Sequence, residues 1–194
     1  MRGRRTIKEQ MRIVIMSLIF CVGLATIASG QKYYSKTGHV EFLSEAPIET
    51  IKSTNDNGYV VLDATTGYFE FSVLIKGFKF QKALMQQHFN ENYLESDQFP
   101  KAISKGTILN FSTINLNVDK TYDANISGQL TIHGVTKPFK CLAKMIVKGK
   151  TISALTTFDI VIADYGIQIP SVVRDNISDI VKVTVSADLI PMNQ

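Results

Sequence analysis

Cysteine occurs twice in this 194-residue chain, histidine three times and proline five times, and each scarcity removes a class of chemistry. Cys21 and Cys141 form no CxxC pair, and His39, His88 and His133 are scattered without metal-ligand spacing. No HExxH, P-loop or GxSxG pattern occurs, so the familiar metalloprotease, nucleotide and serine-hydrolase signatures are missing. Asp63, Asp159 and Asp164 fall at turns or on outward parity, and no spacing pairs two carboxylates. After residue 30 there is no internal repeat, no low-complexity tract and no linker rich in proline and glycine, which argues for a single module.

The first thirty residues read differently. Arg2, Arg4, Arg5, Lys8 and Arg12 precede an uncharged, largely apolar run from Ile13 to Ala28, and Ala28-Ser29-Gly30 supplies small residues at a cleavable junction. Residues 1–30 are therefore expected to be a secretory signal peptide cut near Gly30-Gln31, leaving a domain of residues 31–194 in the periplasm or outside the cell. The rival reading is an uncleaved anchor, but the run falls short of the roughly 20 residues that a spanning helix needs. Leu18-Ile19-Phe20 ahead of Cys21 argues against lipidation there. Removing this segment takes away five cationic residues and Glu9, which brings the formal net charge from +4 to zero. A neutral domain has no electrostatic reason to bind nucleic acid. Cys141 is then the one cysteine left, so no intrachain disulfide can form, and its place on an apolar strand face suits a buried, inert thiol.

The remaining pattern is mostly strand. Short strands are expected around 33–35, 40–44, 50–53 and 59–62, then Tyr68 to Ile75, where Phe69, Phe71 and Val73 share a face. Leu84, Met85, His88 and Phe89 fall at helical spacing within Gln81 to Asn92, the one helix expected. Long alternating runs follow on both sides of His133-Gly134-Val135-Thr136-Lys137-Pro138. Ahead of it Gly128, Leu130 and Ile132 share one parity; after it Phe139, Cys141, Ala143 and Met145 do, while Lys140, Lys144 and Lys148 mark the wet face. Long antiparallel strands with one apolar face need closure to hide their edges. The expected fold is mainly β, an up-and-down antiparallel barrel of about eight strands with one short helix; a β-sandwich would use the same strands.

A turn centred near Val135 sets Gly128 opposite Ala143, and a second turn at Gly149-Lys150 sets Thr156 beside Ala143. Gly128, Ala143 and Thr156 would then form an inward row without a large side chain. Cys141, Ala154 and Ala187 add small inward positions, among the bulkier Leu130, Ile132, Phe139, Phe158, Ile160, Val183, Val185 and Leu189. Such a lining either packs shut or leaves an elongated apolar cavity, and periodicity leaves both open.

The turn segment, with Leu130-Thr131-Ile132 ahead of it, resembles the signature of the YceI-like family of secreted lipid-binding barrels, the polyisoprenoid-binding domain. Asn92-Tyr93-Leu94-Glu95-Ser96-Asp97-Gln98-Phe99-Pro100, Asp164-Tyr165-Gly166-Ile167 and the closing strand Val181 to Leu189 agree, so the resemblance spans about Gln31 to Leu189. Gly38-His39-Val40-Glu41-Phe42 matches the family's opening only in part. The resemblance implies a lipocalin-like barrel with an open cavity and a long amphipathic lipid as guest: an isoprenoid quinone, a polyprenyl carrier or a fatty amide. Arg174 could then face an anionic headgroup, or simply pair with Asp175 and Asp179. No cofactor is required beyond such a lipid, and no catalytic residue is expected. Two alternatives stand beside the carrier: a filled-core interaction or stress-response module, and a lipid-processing enzyme, which would need inward polar groups where parity offers only Thr156. Transient contact with a membrane or membrane protein is compatible with either carrier or module, and the oligomeric state is not legible. Protein recovered from an exporting host is expected to have the intact mass of residues 31–194, and a chain still beginning at Met1 would overturn the export reading.

Overall fold

From Lys120 to Lys148 polar and apolar side chains alternate almost without a break, and the backbone answers with two long paired strands. The structure, a computed structural model, describes residues 31–192; the expected export segment lies outside the described residues. Nine strands run in the order β1 (Lys32–Glu45), β2 (Thr50–Asp63), β3 (Tyr68–Leu74), β4 (Lys79–Phe80), β5 (Lys101–Ile108), β6 (Lys120–Ile132), β7 (Val135–Lys148), β8 (Thr151–Val161) and β9 (Ile180–Pro191). All pairings are antiparallel, and β1 bonds to both β2 and β9. Eight strands thus close into the expected barrel, with β4 as an extra two-residue strand on β2. A sandwich is excluded by the two partners of β1. On β7, Ala143, Met145 and Val147 are buried while Lys140, Lys144 and Lys148 are exposed, so parity separates core from solvent as the alternation requires.

Three sequence expectations need correction. The separate short strands expected over residues 33–62 are two continuous 14-residue strands. Their pairing shifts register around Gly38, and a bulge switches the parity of the pattern, so one bent strand reads as two. The helix is shorter than expected: α1 (Ala83–His88) passes into a π turn over Phe89–Tyr93, closed by the Leu94 N–H donating to the Phe89 carbonyl at 2.9 Å. A regular helix would bring residue 92 under 85 and 88–89; the extra residue of the π turn brings Tyr93 there instead.

The third correction is the register of β6 on β7. The loop holds only two residues, His133 at φ 50° and Gly134 at φ 73°, the positive-φ pair of a type I′ hairpin, whose twist matches the strands it joins. The turn therefore centres between His133 and Gly134, not near Val135. Gly128 faces Phe139, and Ala143 faces Ala124. The second half of the expected row stands, since Ala143 pairs with Thr156. Pro138 stays inside β7 because β8 pairs with that strand only from Ala143 onward, leaving one side unpaired where a residue without a donor fits. Gly128 has another task. It pairs with Gly106 on β5 so closely that a Cβ at 128 would lie 2.2 Å from the Lys105 carbonyl oxygen.

The two barrel ends differ. At one end Leu62, Ile108, Ile114, Met145, Ile152 and Leu189 pack with Ala124 into a continuous core, with Phe111 and Leu116 of the β5–β6 connection against it. Ile152 there is only 1% exposed. The other end gathers the β1–β2 turn, α1, the β6–β7 turn and the long β8–β9 connection. Gly128→Ala is expected to destabilise the fold by about 1–3 kcal/mol, because backbone rather than a side chain must move; an unchanged denaturant midpoint would contradict the close β5–β6 approach.

Candidate functional site: an apolar cavity inside the barrel

The inward faces of the barrel strands surround a cavity of about 480 Å³, within the roughly 300–1,000 Å³ typical of small-molecule sites. The structure brings together along its wall Phe69, Phe71 and Val73 of β3, Leu130 and Ile132 of β6, and Phe139, Cys141, Ala143 and Met145 of β7. Ala154, Thr156, Phe158 and Ile160 of β8 and Val183, Val185 and Ala187 of β9 complete that side. Gly128 is not in the lining, since it has no side chain and sits against β5. Arg174 is exposed and also lies outside it.

Sequence reasoning missed the mouth. Phe42, Phe78, Phe80 and Phe89 form an aromatic cluster there, with Phe42 and Phe89 stacked at 5.5 Å and Phe80 to Phe89 at 4.9 Å. The alternation in Gly77-Phe78-Lys79-Phe80 was the available signal for β4. Ile162, Ile167, Ile169, Val173 and Ile177 of the β8–β9 connection also line the cavity; a connection so rich in aliphatic residues has to cover something.

Polar groups are few, but Thr156 is not alone: Ser44, Glu49, His88, Tyr93, Ser104 and Asn176 reach the lining as well. Most of them are already engaged. Thr156 Oγ1 donates to the Leu142 carbonyl at 2.7 Å, and Ser44 Oγ accepts the Ser178 N–H at 2.9 Å. Glu49 accepts from Lys82 Nζ at 2.7 Å and is also bonded by the Asn176 side chain, so its carboxyl is held below the usual carboxylate range, chiefly by Lys82, and stays ionised at neutral pH. The Ser104 hydroxyl, by contrast, is buried without a partner. Among the described residues no lysine or arginine lines the cavity, and Glu49 is its one acidic side chain.

Above the β6–β7 turn, His133 is held by two acceptors, the Glu95 carboxylate at 2.7 Å and the Tyr165 carbonyl at 3.2 Å, with the Phe99 ring edge-on at 4.7 Å. These contacts tie the segment after α1, the turn and the β8–β9 connection to one another, and they hold His133 in a left-handed conformation that a non-glycine residue seldom adopts. Its role in the structure is that of a turn-stabilising donor. Among the described residues no group of three or more His, Cys, Asp or Glu could hold a metal ion, and no helix is long and apolar enough to cross a membrane.

The geometry defines a class first: a closed antiparallel barrel enclosing an apolar chamber, with a short helix beside one end. The YceI-like domain matches residues 33–189, and the chain belongs to that family. No curated protein matches it. Among solved structures it is similar to a polyisoprenoid binding domain from Saccharophagus degradans (TM-score 0.74, 14% identity, 84% of this chain and 100% of that one). BcnA of Burkholderia cenocepacia is also similar (TM-score 0.62, 14% identity, 78% and 95%), as is a YceI protein of Campylobacter jejuni (TM-score 0.58, 14% identity, 77% and 90%). At that identity the likeness concerns the fold.

Cys141 provides a probe of the chamber. Burial pushes its thiol upward, partly offset by the Thr156 hydroxyl, so less thiolate is present near neutral pH than in an unfolded chain. Alkylation by N-ethylmaleimide is expected to be much slower in the folded protein than in denaturant and to rise as pH increases. Equal rates in the two states would mean that the thiol does not face an enclosed interior.

Proposed function

We propose that this chain is a non-enzymatic carrier or sequestering protein for one long-chain amphipathic lipid, with the chain inside the barrel and the headgroup at the helix-bearing end. The observation that carries the reading is the cavity itself. Left to water, an apolar space of about 480 Å³ keeps its wall hydrated, at a cost of roughly 25 cal/mol for each Å² of apolar surface that a guest would cover. An apolar guest offsets the cost, and each methylene that it buries contributes about 0.8 kcal/mol. The described polyisoprenoid binding of the Saccharophagus degradans domain supports a guest of isoprenoid type.

Electrostatics narrows the headgroup. Among the described residues no lysine or arginine lines the cavity, and the nearby Lys82 is already held by Glu49, so a phosphate would find no free cation there, whereas a quinone carbonyl or an alcohol needs only a hydrogen bond. A neutral isoprenoid, such as a quinone, fits better than a polyprenyl phosphate. The basic, apolar and small-residue order of residues 1–30 supports export and a role in the periplasm or beyond the cell.

Protein purified without detergent is expected to yield a neutral isoprenoid lipid on organic extraction and mass spectrometry. Cys141→Phe should narrow the chamber and lower its lipid content, with a denaturant midpoint no lower than that of delipidated wild-type protein. Tighter binding of a polyprenyl phosphate than of a quinone with the same chain would overturn the headgroup assignment. Lipid-free wild-type protein that also fails to take up either compound would overturn the carrier reading.

A further inference from the structure

A lipid guest has to enter and leave through the helix-bearing end, and that end carries three exposed aliphatic tips. Val172 is 88% exposed, Ile48 68% and Leu84 60%. They come from three separate segments, the β8–β9 connection, the β1–β2 turn and α1. In each segment the next residue turns inward to line the cavity: Val173, Glu49 and Met85. The three segments are tied together as well. The Ile48 N–H donates to the Asp175 carbonyl at 3.1 Å, and Lys82 at the start of α1 holds Glu49 at 2.7 Å. One apolar surface therefore runs from the exposed tips over the rim into the chamber.

Resting on the carrier reading, we infer that Ile48, Leu84 and Val172 form a docking rim that inserts shallowly into a lipid bilayer, setting the cavity mouth against the membrane so that the guest passes without crossing water. The charges around the tips select the surface. Lys82 is paired with Glu49, and Arg174 lies next to Asp175, so each cation beside the tips has an acid next to it and no cluster of positive charge forms. That complements a zwitterionic headgroup layer, which also carries both signs, and gives no attraction to a strongly anionic membrane or to an oppositely charged protein. Three aliphatic tips bury far less apolar surface than an amphipathic helix, so the contact is transient.

The absence of tryptophan from the chain makes the test clean. Val172→Trp is to be compared with Leu109→Trp, whose position is also exposed (65%) but lies beyond β5 at the closed end. With phosphatidylcholine vesicles, Val172→Trp fluorescence is expected to shift to the blue and to be quenched by brominated lipid, at low and at high salt alike, while Leu109→Trp does not respond. The triple variant Ile48→Glu, Leu84→Glu and Val172→Glu should keep the wild-type melting midpoint and cavity lipid content but lose co-flotation with these vesicles by about tenfold or more. No response from either tryptophan, equal response from both, or undiminished flotation of a folded triple variant would each overturn the inference. Because the vesicle readouts need no cavity guest, failure to dock and failure to carry lipid are told apart.

Discussion

Backbone pairing of β1 with both β2 and β9 is the constraint on which the rest of the molecule depends. In an open sheet of these strands, two edges would present unpaired N–H and C=O groups, and one apolar face would have no cover. Closure satisfies the edges and turns that face inward around a common axis, so the alternation of each strand becomes the wall of a chamber. It also fixes how tightly the strands must coil. The Gly106–Gly128 pair between β5 and β6 brings two backbones closer than side chains would allow, a local solution to the curvature that an eight-strand barrel needs.

What keeps the chamber from packing shut is the uneven distribution of side-chain volume along the axis. At the closed end Leu62, Ile108, Ile152 and Leu189 pack into a core that also forms the floor of the chamber. Higher up, small side chains such as Cys141, Ala154 and Ala187 stand among phenylalanines and branched aliphatics, and the wall cannot advance far enough to close the gap. Packing of this kind yields a stable bottom and a receptive top within one continuous sheet. Of the few polar side chains of the wall, several are spent on the protein's own backbone or on a neighbouring charge, as with Thr156 on Leu142 and Glu49 on Lys82.

Order at the other end comes from two polar knots. Glu49 draws together the β1–β2 turn, α1 and the β8–β9 connection, while His133 joins the segment after α1 to the β6–β7 turn and to Tyr165. Between them stands the aromatic cluster around Phe42 and Phe89.

Strand content, closure and the inward set on β3 and β6 to β9 were legible in the sequence because side-chain alternation has a fixed period of two and needs no knowledge of distant partners. That Phe139, Cys141, Phe158 and Val185 face inward followed from parity alone, whereas an open chamber between them was what the family resemblance implied. Register did not: whether Gly128 faces Ala143 or Phe139 depends on two φ angles at His133 and Gly134, and a shift in where the turn centres moves each pair without altering the alternation. The long β1 and β2 were hidden for a related reason, since their bulge breaks the parity by which a strand is recognised. The mouth was out of reach altogether. Phe42, Glu49, Phe89 and Val173 are far apart in the chain and belong to elements with different periods or none, so only the closure of the barrel, which brings every connection at one end to the same rim, could decide that they share a site.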